Sequence, residues 1–280
     1  NASSEIEFRG AHGWLLGEEG RGIATIIQMV ALTRYDCMLG SSALMLQAAK
    51  EAIWHTSGRS VFGKNLHAQP LMQNVLADLA IEAEAATAIS LRMSHALDNM
   101  EDKHEAALIR SATGIGKYWI CKRAIQHTYE AMECIGGVGY VEENVTCRLY
   151  REAPVNAIWE GSGNVQCLDL MRVLEREPDT LNALLSELDT ARGMHDLFDS
   201  YLNKVKLALS DTTHIANKAR QIMEQLAICW QAQTLLVHGE PLISHAFVES
   251  RLSPDNYHQY GTLPDHIDAV KILQRAMPAL

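Results

Sequence analysis

Pro70-Leu71-Met72-Gln73-Asn74-Val75-Leu76-Ala77-Asp78-Leu79-Ala80-Ile81-Glu82-Ala83-Glu84-Ala85-Ala86-Thr87-Ala88-Ile89 decides the fold. Proline suits the first turn of a helix, where its missing N–H would be unpaired anyway. Leu71, Val75, Leu79, Ile81, Ala85 and Ile89 then fall mostly at helical spacing. Upstream, Ile23, Ile26, Ile27, Val30, Leu39, Leu44, Leu46 and Ile53 carry a similar pattern from Gly17-Glu18-Glu19-Gly20 to Gly58. That span predicts a helix of roughly 57 Å, with acidic residues near its positive end. Downstream, Leu108, Ile115, Trp119, Ile120, Ile125 and Met132 predict a third helix over 101–134. A shorter one follows over 165–174. Four apolar-striped helices predict an all-α, antiparallel four-helix bundle.

The flanks differ. Ile6, Phe8, Trp14, Leu15 and Leu16, with Gly10 and Gly13, read as a short strand and a turn. Asn1-Ala2 reads as a tag remnant, and the chain starts as though in mid-domain. Pro178 marks a second boundary. Beyond it, 181–188 predicts a short helix. Tyr201, Leu202, Val205, Leu209, Ile215, Ala219, Ile222, Leu226 and Trp230 trace a single long one. Gly239 and Pro241 break it, and a last helix precedes a looped tail. The expected units are 1–18, a remnant of a preceding β domain with its linker; 19–177, the bundle; and 178–280, a helical extension.

Composition narrows the function. The 280 residues are 48% hydrophobic and carry a net charge of -10, which disfavours a basic nucleic-acid surface. The extension from Arg176 onward has nine Lys and Arg against thirteen Asp and Glu. Six scattered cysteines without a CxxC pair suggest reduced thiols and a cytoplasmic protein. The twelve histidines show no metal-ligand spacing, so no metal is expected. No apolar run reaches the ~18 residues of a membrane span.

Several stretches could carry chemistry. In Ile158-Trp159-Glu160-Gly161-Ser162-Gly163-Asn164, glycines permit close approach of a ligand to the backbone. Trp159 can shield the Glu160 carboxylate, as a general base needs. Gly136-Gly137-Val138-Gly139-Tyr140 follows a helix, so it reads most simply as a C-terminal turn rather than a dinucleotide fingerprint. Arg59-Ser60-Val61-Phe62-Gly63-Lys64 is either a polar inter-helix loop or an arginine clamp for phosphate. Arg34, with Asp36, interrupts an apolar helix as a structural ion pair would. Arg148-Leu149-Tyr150-Arg151-Glu152 reads as a charged turn held by salt bridges.

In order, these blocks resemble the acyl-CoA dehydrogenase superfamily: Gly17 to Gly22, Thr33-Arg34, Arg59 to Lys64 with Pro70, Ile135 to Tyr140, Tyr150 to Ala153, and Trp159 to Asn164. The run from Arg148 to Asn164, and the extension, look most like the alkylation-response, AidB-like branch. The resemblance implies FAD-dependent α,β-desaturation of an acyl-CoA. Glu160 matches the family's base. Arg34 and Trp159 match positions at the substrate pocket, Trp159 replacing the commoner Tyr. Ser162 and Asn164 match flavin-nucleotide contacts. Arg59 and Phe62 match contacts made to FAD across a dimer interface, and Gly136 and Gly137 match backbone near the adenosine. Glu133 stands where many relatives have Gln beside the diphosphate, so its charge must be paired or turned away.

The resemblance further implies an electron-transfer flavoprotein as electron acceptor and a homodimer or homotetramer. It also implies that a missing β domain supplies one wall of the cleft, so this chain alone binds FAD weakly and does not turn over. Two other readings compete: an alkylation-response flavoprotein with weak dehydrogenase activity and nucleic-acid association, and a purely structural oligomerisation module.

Overall fold

The computed structural model describes residues 4–211, 213 and 215–277. Asn1 and Ala2 lie outside them. Three long helices form the frame: α1 (Gly22–Gly58), α2 (Pro70–Asp98) and α3 (Lys103–Ile135). Pro70 occupies the start of α2, as its sequence demands. Asp102 caps α3, its carboxylate accepting the N–H groups of His104 and Glu105.

Side-chain contacts fix the directions. Tyr35, early in α1, meets Ser94, late in α2. Arg92 meets Glu105, and His127 meets Leu79. Hence α2 runs antiparallel to both neighbours, and α1 and α3 run parallel to each other. The fourth helix of the bundle is one that the sequence reading took for a turn, α5 (Val145–Asn156), which packs against α1 and α3. Asn144 caps it by accepting the Thr146 N–H, and Pro154 sits close to its end. The salt bridge expected there is present, Arg151 holding Glu142 at 2.7 Å. Between α3 and α5 lies the single turn α4 (Gly137–Tyr140).

Helix α6 (Gly163–Arg176) packs instead on α3 and on the extension. The extension comprises α7 (Pro178–Asp189), α8 (Asp196–Ser210), α9 (Ile215–His238), α10 (Pro241–Arg251) and α11 (Ala269–Ala276). The single helix expected from Tyr201 to Trp230 is therefore two. Asp211 ends α8 and turns its carboxylate onto the Thr213 N–H and the Lys218 ammonium, a local alternative to helical pairing. α9 lies against α2, α3 and α6, and the apolar core runs without interruption from Met38 and Met45 to Trp230 and Phe247.

No strand forms over 4–16. Ile6, Phe8 and Trp14 are 71%, 81% and 91% exposed. A strand needs a paired neighbour, and the sole pairing among the described residues is a hairpin between α1 and α2. There β1 (Ser60–Val61) and β2 (Lys64–Asn65) pair antiparallel. All six cysteines are free and buried. No helix of the described residues is long and apolar enough to cross a membrane.

Candidate active site on the turn between α5 and α6

The turn from Ala157 to Ser162 joins α5 to α6 and carries Glu160 at its centre. Glu160 adopts φ +56° and Gly161 φ +104°. A non-glycine residue in that region is strained by about 1–3 kcal/mol, so neighbours must hold it. Arg34 does so from α1, its Nε donating to the Glu160 carbonyl at 2.9 Å. The same guanidinium reaches the Asp169 carboxylate on α6 at 3.2 Å. From α6, Gln166 Nε2 donates to the Gly161 carbonyl at 2.9 Å. From α3, Lys117 Nζ donates to the carbonyls of Asn156 and Gly161 at 3.1 and 2.9 Å.

Gly161 is favoured by its positive φ, and both glycines of this turn sit close to neighbouring side chains. A Cβ on Gly161 would stand 2.8 Å from Gln166 Nε2, and one on Gly163 would stand 2.8 Å from Lys122 Cε. Beyond them α6 begins with Ser162 and Asn164 exposed and the Ser162 hydroxyl making no cap bond. A helix start of this kind, with free polar groups and unpaired N–H donors, attracts anions.

The Glu160 side chain is half-buried, and Trp159 is 38% exposed. Beneath the turn lies a thiol, Cys37. Burial pushes it up; Lys117 and a hydrogen bond with Trp159 oppose that. The larger cavities lie elsewhere. One of about 700 Å³ opens beside Arg92, His95 and Val237, another of about 620 Å³ beside Tyr201, Lys204 and Arg220. Glu160 lines neither.

The sequence candidates fall into two groups. Arg34, Trp159, Glu160, Ser162 and Asn164 gather at the turn. Arg59, Phe62, Glu133, Gly136 and Gly137 lie toward the other end of the frame, about 37 Å further along α1 and about 29 Å further along α3. At that end Phe62 and Gly63 form the hairpin tip with φ +53° and +79°, the two positive φ angles of a type I′ turn. Phe62 is 98% exposed there, and Arg59 is exposed beside it. Gly136 ends α3 at φ +81°, its N–H on the Met132 and Glu133 carbonyls, so the C-terminal-turn reading holds. A Cβ on Gly136 or Gly137 would meet nothing within 4 Å, which leaves their backbone open to a ligand. Glu133 is exposed on α3, and its carboxylate raises the pKa of the nearby Tyr129 hydroxyl.

Lys117 and Gln166 were not singled out from sequence. Lys117 shares the buried α3 stripe of Thr113, Cys121 and Ala124, and a lysine on such a stripe is the available signal. Among the described residues no group of three His, Cys, Asp or Glu is arranged to hold a metal ion.

The frame of long helices places the chain in an all-α class of helical domains. Residues 20–175 match the family described as "Acyl-CoA dehydrogenase, C-terminal domain", and the chain belongs to that family. It is 41% identical over 90% of its length to the putative acyl-CoA dehydrogenase AidB of Escherichia coli, and spans 46% of that protein. The crystal structure of Caenorhabditis elegans ACDH-11 in complex with C11-CoA superposes with a TM-score of 0.71 at 25% identity, over 93% of this chain and 44% of that one. An acyl-CoA dehydrogenase from Bacillus anthracis complexed with FAD shares the fold, with a TM-score of 0.66 at 15% identity over 94% of this chain and 55% of that one.

Proposed function

We propose that this chain is the C-terminal helical part of an FAD-dependent acyl-CoA dehydrogenase-like flavoprotein, with residues 19–177 as the family bundle and 178–280 as a packing and assembly element. The observation that carries this is Glu160, held in a left-handed conformation by three side chains from α1, α3 and α6. Strain fixed by converging donors marks a functional group more often than a surface turn. FAD, when bound, supplies the two-electron acceptor for the desaturation. Glu160 removes the α-proton of an acyl thioester with its carboxylate. Ser162 and Asn164 offer hydrogen bonds to an anionic nucleotide at the start of α6.

The chain's residues fit the cofactor. The open backbone at Gly136 and Gly137 and the presented Arg59 and Phe62 suit a nucleotide. Their distance from Glu160 supports two copies sharing one FAD, and hence a homodimer or a homotetramer. Exposed Ile23, Ile26, Ile27 and Leu32 on the first turns of α1 support a further protein wall over the site. ACDH-11 bound to C11-CoA supports an acyl-CoA as substrate. An electron-transfer flavoprotein as acceptor and a cytoplasmic location belong to the same proposal.

The AidB likeness favours a second reading, an alkylation-response flavoprotein with weak dehydrogenase activity. Nucleic-acid contact through the extension is disfavoured by its charges. Lys206 is taken by Asp189 and Lys218 by Asp211, while Lys204 lies over the Tyr201 ring.

The test is flavin bleaching by a panel of acyl-CoAs in the full-length, FAD-loaded protein. The expected result is bleaching that Glu160→Gln slows by about 100-fold or more. Bleaching of equal rate in the variant, or none with any acyl-CoA in the wild type, overturns the dehydrogenase reading.

A further inference from the structure

Lys117 is 2% exposed and one of the largest fully enclosed side chains in the molecule. A buried ammonium is costly unless several groups satisfy it. Its hydrogen-bond partners here are two main-chain carbonyls that flank Glu160 in sequence. One is the carbonyl of Asn156, the last residue of α5; the other is that of Gly161, directly after Glu160. The ammonium thus ties together the two ends of the five-residue stretch from Ala157 to Gly161.

The placement suits its charge. Carbonyls at a helix C-terminus carry partial negative charge and take cations well. Burial lowers the lysine's pKa; Cys121, Cys37 and Glu160 nearby work against that fall. Without the ammonium, the Asn156 carbonyl would lose this partner, while the Gly161 carbonyl would keep Gln166. Arg34 fixes only the middle of the turn, at the Glu160 carbonyl. Lys117 is therefore the group that sets the span across which Glu160 is bent into its left-handed conformation.

We propose that Lys117 is the positioning residue of Glu160: from the floor of the site it clamps the carbonyls on both sides of the turn and so aims the carboxylate. This rests on Glu160 being the base. Lys117 itself touches neither substrate nor cofactor.

Two arms test it. In the first, amide hydrogen exchange is followed in this 280-residue chain, without cofactor. Lys117→Met is expected to speed exchange over residues 157–162 by about tenfold or more while α2 amides keep their wild-type rates. Unchanged exchange at the turn, or an equal rise over the whole chain, overturns the proposal. Lys117→Gln, which keeps an N–H donor, should lie between Met and wild type. It serves as the reading if the Met variant does not fold, and a turn as protected as in wild type then counts against the clamp.

In the second arm the FAD-loaded full-length protein is assayed. Lys117→Met is expected to lower kcat by about 10- to 100-fold, the cost of misplacing a reacting group by about 1 Å, with KM and flavin content within about twofold of wild type. A rise in KM or loss of flavin with kcat intact overturns it, since a clamp on the base acts on kcat. A wild type without turnover refutes the reading of Glu160 as base, whereas the exchange arm still decides whether the clamp exists.

Discussion

Gly161 shows how closely the site is specified at the scale of one residue. Its φ of +104° lies where side chains are strained, and a Cβ there would press on Gln166 and Val165. Gly161→Ala is expected to cost more than about 1 kcal/mol of stability and to displace Gln166 from the turn. Urea unfolding of the variant measures the first, and an unchanged midpoint would refute it. At this scale much was legible from sequence. The glycines of the stretch from Glu160 to Asn164 announced a turn, and Gly161 serves one with its positive φ. Arg34 was expected to pair with Asp36 within its own helix or to sit at the substrate pocket. It pairs with Asp169, far away in sequence, and also holds the Glu160 carbonyl. Lys117 escaped notice because its partners are main-chain carbonyls, which no side-chain pattern reveals.

Among the elements, the long helices followed from their apolar stripes, while α5 and the break between α8 and α9 did not. α5 holds Pro154 and two arginines, Arg148 and Arg151, and so looks like a turn. Its helix is set by the Asn144 cap and by packing against α1 and α3. Tertiary context overrode local preference there. The strand expected over 4–16 lacks a pairing neighbour in the described residues.

The joint between elements is sharpest at Arg92. From α2 it binds Glu105 on α3 at 2.8 Å and Glu187 on α7 at 2.7 Å. Burial would lower its pKa, but the two carboxylates win and raise it. Arg92→Met leaves both acids without their cation and is expected to cost about 3–5 kcal/mol. Thermal unfolding checks this: a variant melting within a degree of wild type would show the joint to be dispensable.

Across the whole molecule, a buried polar cluster fastens the extension to the bundle. Arg251 on α10 pairs with Asp78 and with Glu82 on α2, and Glu82 also takes Arg123 from α3 at 3.3 Å. The Arg123 guanidinium lies 4.6 Å from the Tyr260 ring centre. Burial would raise Glu82, but Arg123 and Arg251 overcome it and hold the carboxyl at about 2. Close by, burial holds His127 down at about 4, its Nε2–H donating to the Leu79 carbonyl at 2.9 Å.

Both groups make the fold acid-sensitive, in different windows. Below pH 6.5 the unfolded chain protonates this histidine and the folded one does not, so His127 costs stability as pH falls from 6.5 to about 4. Glu82 stabilises fully above 4.5 and loses that contribution as pH falls toward about 2. His127→Gln is expected to flatten the stability curve between about pH 6.5 and 5, by up to about 1.4 kcal/mol per pH unit, and to leave the lower window alone. Chemical denaturation at stepped pH reads this, and an equally steep curve in the variant would refute it.

Trp230 is fully buried in α9 and abuts Gly116, the residue before Lys117. A Cβ on Gly116 would stand 2.5 Å from Met38 Sδ and 3.5 Å from that indole. The extension therefore presses on the helix turn that bears the lysine beneath the glutamate. Its inheritance is tied to that of the bundle: an extension transplanted from a relative with a different side chain at this contact would arrive as a mutation of the site, with every site residue unchanged.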